Sequence, residues 1–216
     1  MNIELARFNM IEQQIRPWDV LNLGVLDLGV VKREDFVPTA YQSMAFVDTE
    51  VPLPGGPCML APKVEARILQ ELDVHKHERV LEIGAGSGFM AALLAHKAQH
   101  VTTFEINPEL ARFAAINLKR AGVMNVDVRT GDGARGLASD APFDVIALSG
   151  SVAEVPAALL AQLKVGGRLV AIVGQQPVMR AMLVRRSVDQ GFEHNVLFDT
   201  VAQRLTGFSE PTRFQF

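Results

Sequence analysis

Residues 79–90, RVLEIGAGSGFM, combine an apolar run, a glycine-rich turn and the start of a helix-forming segment. Residues 80–83 are apolar except for one acid, as in a strand buried within a parallel sheet. The turn carries Gly84, Gly86 and Gly88, and glycine allows both tight turning and close approach of a ligand. The stretch therefore predicts a strand and a ligand-binding turn, followed by a helix whose free N–H groups face that turn.

The glycine spacing is G-x-G-x-G, whereas the dinucleotide-binding pattern is G-x-G-x-x-G. Glu82, just before the turn, does not suit a phosphate but suits a cationic amino-acid group. Both features favour S-adenosylmethionine over NAD, with Ser87 included in the predicted binding turn. An ordinary glycine-rich strand-to-helix turn is the alternative that these residues alone leave open.

Two further acids lie at the ends of the next predicted strands. Glu105 follows Gly84 by 21 residues and is placed to accept hydrogen bonds from both hydroxyl groups of a ribose. Asp132 lies between two glycines, where its carboxylate can accept from an adenine amino group. The three features, in this order along the chain, indicate an adenosine-containing ligand.

From residue 79 onward, strand and helix patterns alternate, which predicts an α/β fold with a mostly parallel, doubly wound sheet. Strands are predicted at 79–83, 100–105, 126–130, 143–149 and 168–173, with an edge hairpin formed by 179–187 and 196–205. Helices are predicted at 63–72, 89–95, 108–120 and 155–163.

Residues 1–40 are predicted to form a helical N-terminal cap, and the proline-rich residues 48–62 a loop lying against the domain. One apolar face of the first helix is predicted to contain Leu5, Phe8, Ile11 and Ile15. We therefore divide the chain into a helical cap with the proline-rich loop (1–62), an α/β core (63–208) and a tail (209–216).

The composition is that of a globular protein, with 49% hydrophobic and 21% charged residues and a formal charge of -3. This charge argues against non-specific binding of nucleic acid. No apolar segment approaches the roughly 18 residues of a membrane span, and the single cysteine cannot form an internal disulfide. The histidines show no metal-binding pattern. We expect a cytoplasmic protein that is a monomer or a weak dimer.

Several blocks of the sequence resemble the protein-L-isoaspartate O-methyltransferase family, over most of residues 5–207. The blocks are KREDFVP (32–38), VLEIGAGSGFMAALLA (80–95), FEINPELARFAAINL (104–118), NVDVRTGDGARGL (125–137), APFDVIALSG (141–150) and EVPAALLAQLKVGGRLV (154–170). The resemblance implies a Rossmann-like fold, S-adenosylmethionine as cofactor, S-adenosylhomocysteine as product, and methyl transfer to a carboxylate of a protein or peptide in protein repair.

The resemblance also implies roles for individual residues. Glu105 with Ile106 would hold the ribose, and Asp132 with Gly133 would hold the adenine. Thr206, in the segment RLTGF, corresponds to a cofactor-side threonine of the family.

The resemblance makes residues 52–60, PLPGGPCML, the substrate loop, and here the sequence departs from the family pattern P-I-G-x-G-Q-T-I-S. In a gapless match, Leu60 occupies the position of the serine associated with catalysis, and Cys58 that of the threonine. Because a leucine side chain makes no hydrogen bond, the departure predicts absent or very weak transfer to isoaspartyl peptides.

Three other functions compete with this interpretation. The first is the same fold and cofactor with a different acceptor, in a pocket made more apolar by Met59 and Leu60. The second is a non-catalytic protein that binds the cofactor or a partner. The third, a nicotinamide-dependent dehydrogenase, is disfavoured by the glycine spacing.

Overall fold

The computed structural model describes residues 2–20, 28–189 and 191–210. Its centre is a seven-stranded sheet with the strand order β5-β4-β3-β6-β7-β8-β9. The strands are β3 (Arg79–Ile83), β4 (His100–Glu105), β5 (Val126–Thr130), β6 (Phe143–Val152), β7 (Leu163–Gln175), β8 (Val178–Arg186) and β9 (Phe192–Asp199). A separate two-stranded hairpin pairs β1 (Val51–Pro52) with β2 (Cys58–Met59).

Strands β3 to β7 are mutually parallel where they pair, and β3 lies at the centre of this group. In β3, Val80 pairs with Val101 of β4 on one side and with Val145 of β6 on the other. The chain thus winds outward from β3 in one direction and then crosses to its other side. This reversal leaves an opening at the carboxyl ends of β3, β4 and β6, where open α/β sheets bind ligands. Strands β8 and β9 extend the edge as an antiparallel meander.

The α-helices of the described residues are α1 (Ile3–Asn9), α2 (Pro62–Leu72), α3 (Phe89–Lys97), α4 (Pro108–Arg120) and the four-residue α5 (Ala157–Leu160). The three longest pack against one face of the sheet. Residues of α2, α3 and α4 share one apolar cluster with alternate residues of the strands. The other face is covered by α5 and by loop residues, among them Leu137, Leu205 and Phe208. The α/β fold and its mostly parallel sheet are therefore confirmed.

The N-terminal cap shares its core with the sheet. Met10, Ile15 and Phe36 are fully buried in the same cluster as Val80 and Val101. The boundaries proposed at 62 and 208 remain a prediction, and the first of them crosses this continuous core. Part of the predicted cap (21–27) and most of the predicted tail (211–216) lie outside the described residues.

The predicted apolar face of the first helix is wrong for its first turns. Ile11 and Ile15 are buried, but the side chains of Leu5 and Phe8 are 54% and 59% exposed. The reason is that α1 passes into a π-helix at Met10–Ile15. The wider π turn rotates later residues relative to the earlier ones, so that a 3.6-residue pattern no longer describes one face.

The last predicted strand, 196–205, is also wrong in its position. Strand β9 ends at Asp199, and residues beyond it return to the carboxyl end of β6. There Ser151 donates a backbone hydrogen bond to Gln203 and accepts one from Leu205. The predicted helix 155–163 is reduced to α5, because Leu163 already begins strand β7.

Candidate active site

A cleft of about 250 Å³ opens at the carboxyl ends of β3, β4 and β6. Six of the ten predicted cofactor-binding residues line it, together with Cys58 from the predicted substrate loop. The six are Gly84, Gly86, Glu105, Ile106, Gly133 and Thr206. The structure therefore brings these six together at one cleft, and the four other predicted residues lie outside its lining.

The glycine turn is required by the backbone conformation and by close packing. Gly84, Gly86 and Gly88 have φ values of +96°, +53° and +86°, in the left-handed region that favours glycine. A Cβ on Gly84 would lie 2.8 Å from Cδ2 of Leu205, and one on Gly88 would lie 3.2 Å from the carbonyl oxygen of Ala114. Gly88 is thus needed for the packing of α3 against α4. Gly84 leaves room for Leu205, in the segment beyond β9 that lines the cleft.

Two backbone hydrogen bonds hold the carboxyl group of Glu105 in the cleft. Its side chain is buried, with Oε2 accepting from the backbone N–H of Gly86 at 2.8 Å and Oε1 from that of Asn107 at 3.1 Å. Each carboxylate oxygen can accept a further hydrogen bond, and Glu105 lines the cleft. A fixed two-oxygen acceptor of this kind fits the adjacent hydroxyl groups of a ribose.

Two apolar surfaces flank this acceptor. Ile106 is 42% exposed at the edge of the cleft. Gly133 packs so closely that a Cβ would lie 2.9 Å from both Ile83 and Phe104. An apolar edge next to a ribose acceptor fits the adenine ring of S-adenosylmethionine, so the residues present fit the cofactor.

Four predicted cofactor residues make contacts behind or beside the cleft. The carboxyl group of Glu82 is completely buried and accepts a hydrogen bond of 2.6 Å from Oγ of Ser149, which itself lines the cleft. Burial raises the pKa of Glu82 to about 7, although the Ser149 hydrogen bond opposes the shift.

Asp132 is exposed and accepts from the backbone N–H of Ala134. Ser87 accepts weakly from the backbone N–H of Phe89, and Gly88 begins helix α3.

The two substrate-loop residues occupy different positions. Cys58 lines the cleft, and both burial and the charge of Glu50 raise the pKa of its thiol, which is therefore protonated at neutral pH. Leu60 is buried and lines a second, smaller cavity of about 20 Å³. This cavity adjoins the cleft, because Cys58, Gly84, Gly86 and Ser149 line both.

Several residues of the site were missed by sequence reasoning. Ser149 follows the apolar run of a predicted strand, and the rule that identified Glu105 would also have identified it. Gln203 and Leu205 carry no such signal, since only the return of the chain beyond β9 brings them to the cleft. Glu65, which lines the small cavity, resembles any polar residue of an amphipathic helix in the sequence.

Among the described residues, no group of three or more histidine, cysteine, aspartate or glutamate side chains is placed to hold a metal ion. Within the same residues, no helix is both long enough and apolar enough to span a membrane.

This sheet, with its glycine turn and strand-end acids, defines the class of Rossmann-like methyltransferases that use S-adenosylmethionine. Within that class, the chain belongs to the protein-L-isoaspartate(D-aspartate) O-methyltransferase family, whose model matches residues 21–206.

Curated relatives and solved structures agree with this assignment. The protein-L-isoaspartate O-methyltransferase of Koribacter versatilis is 39% identical over 183 residues, covering 84% of this chain and 82% of the relative. Protein-L-isoaspartate O-methyltransferase 1 of Syntrophobacter fumaroxidans is 36% identical over 198 residues, covering 91% and 92%. A solved protein-L-isoaspartate O-methyltransferase superposes with a TM-score of 0.81 at 25% identity, covering 95% of this chain and 66% of that longer chain. A Plasmodium falciparum structure, described as a complex with S-adenosyl-L-homocysteine, has a TM-score of 0.79 at 19% identity, covers 95% and 99%, and supports the fold alone.

Proposed function

We propose that this protein transfers the methyl group of S-adenosylmethionine to the side-chain carboxylate of isoaspartyl residues in damaged proteins or peptides. The observation that carries the proposal is the fixed carboxylate of Glu105 in a cleft that also reaches Cys58 of the substrate loop. The residues that we assign to the cofactor and to the acceptor therefore line one opening. The names of the curated relatives support isoaspartate as the acceptor.

Each predicted cofactor-binding residue has a role in this proposal. Glu105 holds the ribose hydroxyls. Ile106, which the resemblance assigns to the ribose, instead contacts the adenine together with Gly133, and Thr206 contacts the cofactor from the C-terminal side. Glu82 acts on the cationic amino-acid end through Ser149, to which it is hydrogen-bonded. Three further residues stay in the proposed cofactor site because they shape its backbone turns. Asp132 accepts a hydrogen bond from the backbone N–H of Ala134, Ser87 accepts one from that of Phe89, and Gly88 precedes helix α3.

The reaction needs positioning more than acid–base chemistry. When bound, S-adenosylmethionine supplies a methyl group whose bond to the sulfonium breaks with its electron pair left on sulfur. An ionised acceptor carboxylate takes that methyl group with its own lone pair, so the protein need not remove a proton. The protein's own contribution is to hold the acceptor in line and to exclude water from the cleft.

A transfer assay with methyl-labelled cofactor tests the proposal. We expect label in an isoaspartyl peptide and none in the matched aspartyl peptide. Label in proteins of a cell extract but not in the peptide would favour a different acceptor. Binding of S-adenosylhomocysteine without transfer to either would contradict the proposal and favour a non-catalytic function.

Other expectations from the sequence remain predictions. They are a cytoplasmic location, a monomer or weak dimer, and the absence of nucleic-acid binding. Size-exclusion chromatography with light scattering would measure the oligomeric state.

A further inference from the structure

The small cavity next to the cleft contains a buried acid, Glu65, in the first turn of α2. Its side chain is 4% exposed, and Oε2 has no hydrogen-bond partner. Apolar residues form much of the surrounding wall, including Leu53, Met59, Leu60 and Met90. A carboxyl group in such a place is costly unless another group completes its hydrogen bonds.

Arg33 does not complete them. Its Nε lies 3.7 Å from Oε2 of Glu65, which is too long for a hydrogen bond, and Nε also has no partner. The guanidinium is committed elsewhere, since Nη2 donates to the carbonyl oxygen of Leu60 at 2.9 Å and Nη1 to that of Ala45 at 3.5 Å. Arg33 is itself 1% exposed. The site thus holds one buried positive charge beside a carboxyl group that remains available to a ligand.

The cavity that contains the carboxyl group of Glu65 lies next to the cleft in which we place the acceptor. The small cavity and the cleft share Cys58, Gly84, Gly86 and Ser149, so the cavity that Glu65 lines adjoins the cleft on the side of the substrate loop. A volume of about 20 Å³ accommodates one water-sized group, such as a single carboxylate oxygen.

We propose that Glu65, in its protonated form, binds the acceptor carboxylate and donates the hydrogen bond that Leu60 cannot make. This inference rests on the proposed function, because it takes the acceptor to be a carboxylate. With the acceptor in place, its negative charge is balanced by the buried Arg33, while Glu65 stays neutral. An ionised Glu65 would instead place two negative charges beside one positive charge.

The titration of Glu65 supports this arrangement. Burial raises its pKa to about 8, while the charge of Arg33 opposes the shift and that of Glu82 adds to it. The charged or titratable groups around it are Arg33 from the turn Arg33–Asp35, Glu82 from β3 and the Cys58 thiol from β2. Glu65 is therefore protonated at neutral pH and loses its donor proton as the pH rises through about 8.

The test measures acceptor binding without turnover. An isoaspartyl peptide with blocked termini is titrated calorimetrically into the complex of the protein with S-adenosylhomocysteine, from about pH 6.5 to about pH 9.5. We expect the affinity of the wild type to fall towards tenfold per pH unit above about pH 8, with proton uptake on binding in that range. Repeating the titration in buffers of different ionisation enthalpy measures this proton uptake, and the measurement requires only the wild-type protein.

Two variants separate hydrogen bonding from packing. Glu65→Gln keeps the size and a donor, so its peptide affinity should stay near the wild-type value at low pH and no longer depend on pH. Glu65→Leu removes the donor and should weaken peptide binding about tenfold or more at every pH. Glu78→Gln alters another buried acid, paired with Arg168 at 2.7 Å and outside the cleft, and should keep the wild-type pH profile. Affinity for S-adenosylhomocysteine checks the fold of each variant.

The outcomes distinguish this inference from the proposed function. If the peptide binds the wild type without pH dependence and binds Glu65→Leu equally well, the role of Glu65 is overturned. The proposed function is not overturned by that result. A wild type that binds S-adenosylhomocysteine but neither binds nor methylates the peptide overturns the proposed function, and with it the assigned acceptor.

Discussion

Three glutamates around the cleft differ in the hydrogen bonds that their carboxyl groups accept, because their neighbours differ. Glu105 accepts two backbone N–H groups, Glu82 accepts the hydroxyl of Ser149, and Oε2 of Glu65 has no partner. The first is suited to bind a diol because backbone N–H groups fix both of its oxygens, whereas burial raises the pKa values of Glu82 and Glu65. Identical side chains therefore serve as a fixed acceptor, a buried support and a donor.

Glu105→Ala should weaken the binding of S-adenosylhomocysteine about tenfold or more, since charge-assisted hydrogen bonds to the ribose are worth about 1.5–3 kcal/mol each. Titration calorimetry measures the dissociation constant. Glu109→Ala, at an exposed position in the first turn of α4, is the matched control and should bind normally. An unchanged dissociation constant in a folded Glu105→Ala protein would refute the ribose role.

Leu60→Ser, alone or with Cys58→Thr, should raise the initial rate on an isoaspartyl peptide, because it restores hydroxyl groups at the family positions. Leu60 is buried, so the serine variant should also lose about 2–4 kcal/mol of unfolding free energy. Rates must therefore be compared well below the melting temperature. The sequence alone predicted absent or very weak wild-type transfer, whereas Glu65 is a reason to expect measurable transfer. A serine variant that is folded but no faster would show that Leu60 does not limit the reaction.

At the scale of elements, the sequence predicted best where local pattern and tertiary environment agree. Strands β4 and β5 and helix α4 have their predicted bounds, because each combines one clear periodicity with an end signal such as Asn107, which caps α4. The apolar face of the N-terminal helix and the bounds of β9 differ from the prediction. The causes are a π turn and a reversal of the chain, and neither has such a signal in the sequence. Local periodicity does not encode either one.

The site was predictable for a similar reason. Glu105 and the glycine turn follow strands, and the rule for parallel sheets brings strand ends together. Leu205 and Glu65 reach the site through tertiary packing alone, from the C-terminal segment and from α2. No spacing rule in the sequence connects them to the cleft.

Gly88→Ala tests the packing role of the turn. Both a left-handed φ and the carbonyl oxygen of Ala114 at 3.2 Å oppose a Cβ there, so we expect a loss of about 2–4 kcal/mol of unfolding free energy. Gly122→Ala also has a left-handed φ, of +73°, but meets no atom within 4 Å and should cost only about 1 kcal/mol. Denaturant unfolding measures both values, and equal losses would argue against the close contact of α3 with α4.

At the scale of the whole molecule, the buried acids predict an unusual dependence of stability on pH. Glu65 and Glu82 have folded-state pKa values raised to about 8 and about 7, while unfolded glutamate titrates near about 4.3. Between these values the folded state binds more protons, so its stability falls as the pH rises. Glu78 does not oppose this: burial would raise its pKa, but hydrogen bonds from Arg168 and from the backbone lower it, and its contribution is lost only in acid.

We therefore expect the unfolding free energy at about pH 5.5 to exceed that at about pH 8.5 by at least about 1 kcal/mol. Glu65→Gln should reduce this difference, because glutamine does not titrate. Urea titrations at both pH values, with Glu78→Gln as control, measure the effect. A wild type that is more stable at the higher pH would contradict the protonated state of the buried acids.

The return of the chain beyond β9 makes the C-terminal segment a reporter of ligand occupancy. Arg204, Leu205 and Thr206 line the cleft directly, and Arg204 is a cleavage site for trypsin. Cleavage requires local opening, so a ligand that contacts this segment should slow it, by about tenfold at ten times the dissociation constant. The exposed turn at Lys76 provides an internal reference whose cleavage rate should not change. Limited digestion can thus screen candidate ligands of the cleft before any methyl acceptor is known.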